Sequence, residues 1–128
     1  MILALSCIPL ALLVIYAVKI PVAIAMHRLG GYDNRHPREQ QAQLVGWGKR
    51  ALAAHQNGFE TFPAFAVAVL LAHVQHGDAF WSAVFAVTFV VSRVCYSWFY
   101  MANWSTPRTL VWGIGFGCIF GLFIIALL

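Results

Sequence analysis

The sequence predicts an all-α protein, a bundle of four membrane-spanning helices, and three observations carry that prediction. Of its 128 residues, 62% are hydrophobic and only 9% charged, whereas a water-soluble domain has about 45–50% and about 25%. The mean hydropathy is +0.79. Four stretches of roughly 20 mostly apolar residues, the length a bilayer crossing requires, occupy residues 2–26, 50–73, 79–101 and 108–128. They leave no room for a separate soluble domain, so one membrane domain over residues 1–128 is expected.

The first span, 2–26, lacks a basic residue ahead of its apolar run and is longer than the hydrophobic part of a secretory signal, so it reads as a retained helix despite the small residues Ala23 and Ala25. Lys19 and Pro21 fall in its last third, where a lysine can extend toward the headgroups. Residues 27–49 form a connector rich in Gly, Pro and polar side chains, Arg28-Leu29-Gly30-Gly31-Tyr32 through Arg38 and beyond, and are expected to be irregular.

The second span is polar in its first half and Ala/Val/Leu in its second, with Pro63 beside Glu60 as a place for a kink. Gly77-Asp78 predicts a tight turn with Asp78 capping the third span. Ser105-Thr106-Pro107 predicts the same at the start of the fourth, with Pro at the first helical position. Gly113, Gly115, Gly117 and Gly121 give that last span small-xxx-small spacings that let another helix approach closely, within or between subunits.

The net charge of +4 lies almost wholly on one side of the expected bundle. Arg28, Arg35, Arg38, Lys49 and Arg50 flank or occupy the first connector, and Arg108 sits at the third. The junction between the second and third spans carries no Lys or Arg. By the positive-inside rule, loops one and three are expected in the cytoplasm and both termini outside it. No basic patch with interleaved aromatics suggests a nucleic-acid partner. The three cysteines, Cys7, Cys95 and Cys118, fall within spans in no metal-ligand spacing and read as small buried hydrophobes, so no metal site is expected.

Ionisable groups inside a span are costly and mark a candidate site. Arg50, Ala53, Asn57 and Glu60 share one stripe of the second span at 3.6 residues per turn, with His55 on nearly the opposite side. Arg93, Tyr96, Tyr100 and Asn103 share a face of the third. The two stripes run to the same depth, so Glu60 and Arg93 invite an ion pair that locks the helices. The further donors around them predict a pocket for a small, charged, peptide-like molecule. Arg108 stands in the first turn of the fourth span, where a cation opposes the helix dipole. An anion such as a thiolate would be held there by amide groups and guanidinium together.

The run Ala54-His55-Gln56-Asn57-Gly58-Phe59-Glu60-Thr61-Phe62-Pro63, with Arg93-Val94-Cys95-Tyr96-Ser97-Trp98-Phe99-Tyr100 and a basic residue at the next helix start, resembles the MAPEG superfamily, membrane-associated proteins in eicosanoid and glutathione metabolism. The resemblance extends over the whole chain in length, span count and order. It implies a homotrimer of four-helix subunits with glutathione between neighbours near the cytoplasmic face. Asn57 and Glu60 would hold the glutathione peptide, Tyr96, Tyr100 and Arg93 would line its site, and Arg108 would stabilise its thiolate. Arg50 matches the arginine opening the second-helix motif, and Arg28 is a looser match. A second, hydrophobic substrate would arrive from the lipid.

Ala53 departs from the pattern, since the leukotriene and prostaglandin synthases carry a glutathione-gripping arginine there, and Gln56 replaces another basic residue seen in some members. The resemblance thus admits two functions. One is a glutathione-dependent transferase or peroxidase toward hydrophobic electrophiles; the other is a non-catalytic lipid-binding or scaffold protein on the same fold. A small proton-coupled exporter, a third class with four short spans, ranks far behind because the first span has no carboxylate.

Overall fold

A computed structural model describes all 128 residues, and it is helical throughout, without strands. Helix α1 spans Ile2–His27, α2 Pro37–Ala42, α3 Gly46–Val74, α4 Ala79–Met101 and α5 Ser105–Leu127. Four of them are long and apolar enough to cross a membrane. At 1.5 Å per residue the shortest of these reaches about 35 Å, more than the roughly 30 Å hydrocarbon layer.

The long helices alternate in direction, with α4 packed most extensively on α5 and α1 on α3. Their meeting faces follow from residue size. Ala4, Cys7 and Ala11 of α1 recur at three- and four-residue steps and meet Phe65, Ala68, Val69 and Ala72 of α3. Ala86 and Phe89 of α4 and Cys118, Ile119, Leu122 and Ala126 of α5 complete the core. Small side chains let the backbones approach, which suits helices that gain nothing by hiding apolar surface from lipid. Phe65 and Phe89 stack across α3 and α4 at 3.9 Å, 9° from parallel. The outward faces are equally apolar: Leu13, Ile20, Trp98 and Ile124 are all more than half exposed, an arrangement stable in lipid and not in water.

Both short interhelical turns use one device. Beyond α3, His76 takes φ 56°, and the amide of Gly77 donates back to the Ala72 carbonyl at 2.8 Å. Beyond α4, Asn103 takes φ 62°, and the amide of Trp104 donates to the Phe99 carbonyl at 2.9 Å. These are left-handed C-terminal caps that satisfy carbonyls the helix leaves open. Asp78 caps α4 as expected, its carboxylate accepting from the Trp81 amide at 2.8 Å.

Four expectations require correction. Asn103 has left the helix and does not continue the Arg93 face. Ser105 and Thr106 do not cap α5, because the helix already begins at Ser105 behind Trp104 with no side-chain cap bond. Pro107 accordingly lies third in α5 and not at its first position. The first connector holds the short helix α2, whose first residue is Pro37, the position where a missing amide hydrogen costs nothing.

That connector is tied down by one buried side chain. Gln40 donates through Nε2 to the carbonyls of Met26 and Gly31 at 3.2 and 2.7 Å, and its Oε1 accepts from the Asp33 amide at 3.0 Å. The Asp33 carboxylate in turn accepts from the amides of His36 and Arg35 at 3.0 and 2.9 Å. Those two amides, that of His36 first, hold the Asp33 carboxyl below the usual carboxylate range.

Candidate functional site

Arg93 is the centre of the polar cluster, and α4 places it inside the bundle at 6% exposure. A charge so deep in a membrane domain costs several kcal/mol unless it is compensated. The expected partner is absent. The sole ion pair in the chain joins His36 and Asp33 at 3.6 Å, and Glu60 does not reach Arg93. Asn57 stands between them: its Nδ2 donates to Glu60 Oε2 at 3.0 Å, and its Oδ1 accepts from Arg93 Nη1 at 3.4 Å. The ion pair expected from helical phase is therefore a relay through a carboxamide, with Glu60 turned outward and exposed.

The rest of the guanidinium is only loosely satisfied. Nη2 donates to the Val111 carbonyl and Nε to Ser92 Oγ, both at 3.4 Å. All three bonds are long, and two of the five guanidinium N–H groups are left without a protein partner. The site thus holds a net positive charge and spare donors.

Aromatic rings line the way from that charge to the basic end of the bundle. The Arg93 guanidinium lies 5.4 Å from the Phe89 ring centre and 4.8 Å from that of Tyr96. Tyr96 meets Tyr100 edge to face at 5.6 Å, and Arg108 from α5 lies over Tyr100 at 4.4 Å. Steps of three and four residues put Arg93, Tyr96 and Tyr100 on one helical face, and Arg108 closes the row from the first turn of α5. Such cation–aromatic contacts hold a guanidinium without neutralising it. Both phenol hydroxyls lack hydrogen-bond partners within the chain.

Two of the expected site residues lie outside this arrangement. Arg50 gives its Nε to the Met101 carbonyl at 3.1 Å, which ties the start of α3 to the end of α4 and leaves its four Nη hydrogens without a protein partner. Arg28 lies over the Trp47 ring at 5.6 Å, outside the Arg93 row. His55 turns away as its phase predicts and bonds the Ile15 carbonyl of α1 through Nδ1 at 2.9 Å.

Sequence reasoning missed Ser92, the Val111 carbonyl and above all Gly115. A Cβ at Gly115 would lie 2.5 Å from Ser92 Oγ and 2.7 Å from Arg93 Nη2. The glycine is what gives the guanidinium its space. The mid-helix glycine was visible in the sequence, but nothing local distinguished it from Gly113 and Gly117, which have nothing within 4 Å.

Apolar surface adjoins the polar row. A groove of about 290 Å³ opens between α1 and α4, lined by Val14, Ala17, Val18, Pro21, Val94, Ser97, Trp98 and Met101. A buried cation with spare donors, unpartnered phenols and a nearby apolar groove is chemically suited to an anionic, peptide-like molecule beside a hydrophobic one.

The model of the MAPEG family matches residues 3–128, essentially the whole chain. No curated protein matches it.

Proposed function

The chain belongs to the MAPEG family, and from that premise we propose that it binds glutathione at the Arg93 row and uses the thiolate against hydrophobic electrophiles that reach it through the membrane. The single observation that carries this reading is the uncompensated guanidinium of Arg93, joined through Tyr96 and Tyr100 to Arg108. An anionic peptide supplies the negative charge the protein does not. Asn57 and Glu60 orient the peptide, Glu60 accepting from its ammonium group, and the phenol hydroxyls of Tyr96 and Tyr100 donate to it.

Arg108 faces the sulfur. A free thiol with pKa about 8.5 is slightly ionised at neutral pH, and a guanidinium at a helix N-terminus favours the thiolate. In conjugation the sulfur pair forms a C–S bond while the leaving group departs with its own pair. In reduction a hydroperoxide becomes alcohol and water while two thiols become a disulfide. The subunit assembles as a homotrimer with glutathione between neighbours, and its basic end faces the cytoplasm.

Ultraviolet titration of glutathione bound to detergent-purified protein tests this directly. The thiolate should form well below the free thiol pKa, and Arg108→Ala should remove that shift. No detectable glutathione binding would overturn the reading.

The apolar groove and Ala53 favour a second reading, a non-catalytic lipid-binding or scaffold protein on the same fold. It predicts co-purifying lipid and no turnover with a generic electrophile such as chlorodinitrobenzene.

A further inference from the structure

The groove between α1 and α4 lies on a different side of α4 from the Arg93 row. Val94, Ser97, Trp98 and Met101 line it, and by helical phase they point about a third of a turn away from Arg93, Tyr96 and Tyr100. Its shape follows from residue size, since Ala17, Pro21 and Ser97 are too short to fill the space between two helices. The Ser97 hydroxyl donates to the Arg93 carbonyl of its own helix at 3.0 Å, so the groove is apolar in spite of its serine. From Val94 to Met101 it follows about 10 Å of α4 and stops where that helix stops, at the basic end of the bundle.

A cation stands at that end. Arg50 Nε donates to the carbonyl of Met101, the last groove residue, at 3.1 Å. The final carbonyls of a helix point along its axis and out of it, so the guanidinium sits just beyond the α4 terminus. Arg50 is half-buried, takes no part in the chain's sole ion pair, and has its whole Nη edge free. The level is that of the lipid headgroups: the span ends at Met101, and the exposed Trp104 that follows is the residue type that marks a membrane interface. Chain-sized apolar groove and free guanidinium are thus joined end to end by a measured bond.

We infer that the groove holds one acyl chain of an anionic phospholipid whose phosphate is bound by the Nη groups of Arg50. A groove open to the acyl layer is filled by a lipid chain, and the head of that lipid lies where the span ends. Charge decides which lipid: a zwitterionic one carries its own cation beside the phosphate, and the guanidinium repels it. A phosphate accepts two parallel bonds from the Nη edge, a geometry suited to guanidinium. The inference stands apart from the glutathione reading, which uses another face of α4, and its test is run without glutathione.

The protein is placed in bilayer discs of mixed phosphatidylglycerol and phosphatidylcholine, and retained lipid is identified and counted by native mass spectrometry. Wild type should retain phosphatidylglycerol preferentially. Arg50→Gln should still retain lipid but with its preference for phosphatidylglycerol lowered about fivefold, the contribution of one basic residue toward an anionic lipid. Arg50→Lys keeps the charge and should keep the preference, which separates lost charge from lost fold. Ala17→Phe fills the groove with Arg50 intact and should lose retained lipid of both kinds. Lys49→Gln removes the same charge from the neighbouring residue and should leave the preference unchanged. An equal loss in Lys49→Gln would overturn the inference, as would equal retention of the two lipids by wild type. Undiminished retention by Ala17→Phe, or a retained mass that is a free fatty acid, would overturn it too.

Discussion

One added methyl group at Gly115 should separate close packing from mere helical composition. In Gly115→Ala the new carbon meets Ser92 Oγ at 2.5 Å and Arg93 Nη2 at 2.7 Å, so the guanidinium must move. In Gly113→Ala and Gly117→Ala the same methyl meets nothing within 4 Å. All three variants gain the same preference of alanine over glycine within a helix, about 1 kcal/mol. That gain cancels between them, and what remains is the overpacking cost, typically about 1–3 kcal/mol. At roughly 4 °C per kcal/mol for a chain this size, Gly115→Ala should melt about 4–12 °C below the other two. The assay is thermal unfolding in one detergent, followed by circular dichroism. Equal melting of the three variants, or a Gly113→Ala protein less stable than Gly115→Ala, would refute the claim that this glycine makes room for Arg93.

Three further predictions concern the polar groups. Arg93→Met removes a buried cation that has no carboxylate partner, a change that is neutral or stabilising by about 1–4 kcal/mol in comparable sites; thermal stability should hold or rise while glutathione affinity, measured by calorimetry, falls at least tenfold. Arg50→Gln breaks the bond to the Met101 carbonyl and, for a half-buried charged donor, should cost about 1 kcal/mol, seen as faster hydrogen exchange where α3 and α4 meet, with thiolate formation unchanged. Asp33 is held below its unfolded value of about 3.9. Its contribution is complete above that value and lost as pH falls through the lower folded one. The connector should become protease-sensitive on acidification below pH 4, and Asp33→Asn should be sensitive already at neutral pH.

Membrane class, four spans and the helix-capping role of Asp78 were legible because each is local. Length, hydropathy and a cap residue act within one segment, whatever the rest of the chain does. The stripe of Asn57 and Glu60 and the row of Arg93, Tyr96 and Tyr100 followed from helical phase alone, and phase also set His55 apart. Short-range geometry misled where chain direction changed: Asn103 continued the pattern on paper but left the helix at φ 62°. The short helix α2 was hidden by its composition, since Gly and Pro around it speak for a loop while Gln40 holds it through bonds to Met26 and Gly31.

By itself the sequence determined that this is a bundle of apolar helices with a cationic end and ionisable groups within the spans. Only the tertiary structure decided what those groups meet. Two facing stripes predict that Glu60 and Arg93 lie near one another, yet a shift of a few ångströms between helices chooses a carboxylate, a carboxamide or a backbone carbonyl as partner. That shift is fixed by packing far along the chain, by the Phe65–Phe89 stack and by the space at Gly115. It leaves Glu60 outward, Arg50 bonded through Nε to Met101, and Arg93 inside with its charge unanswered.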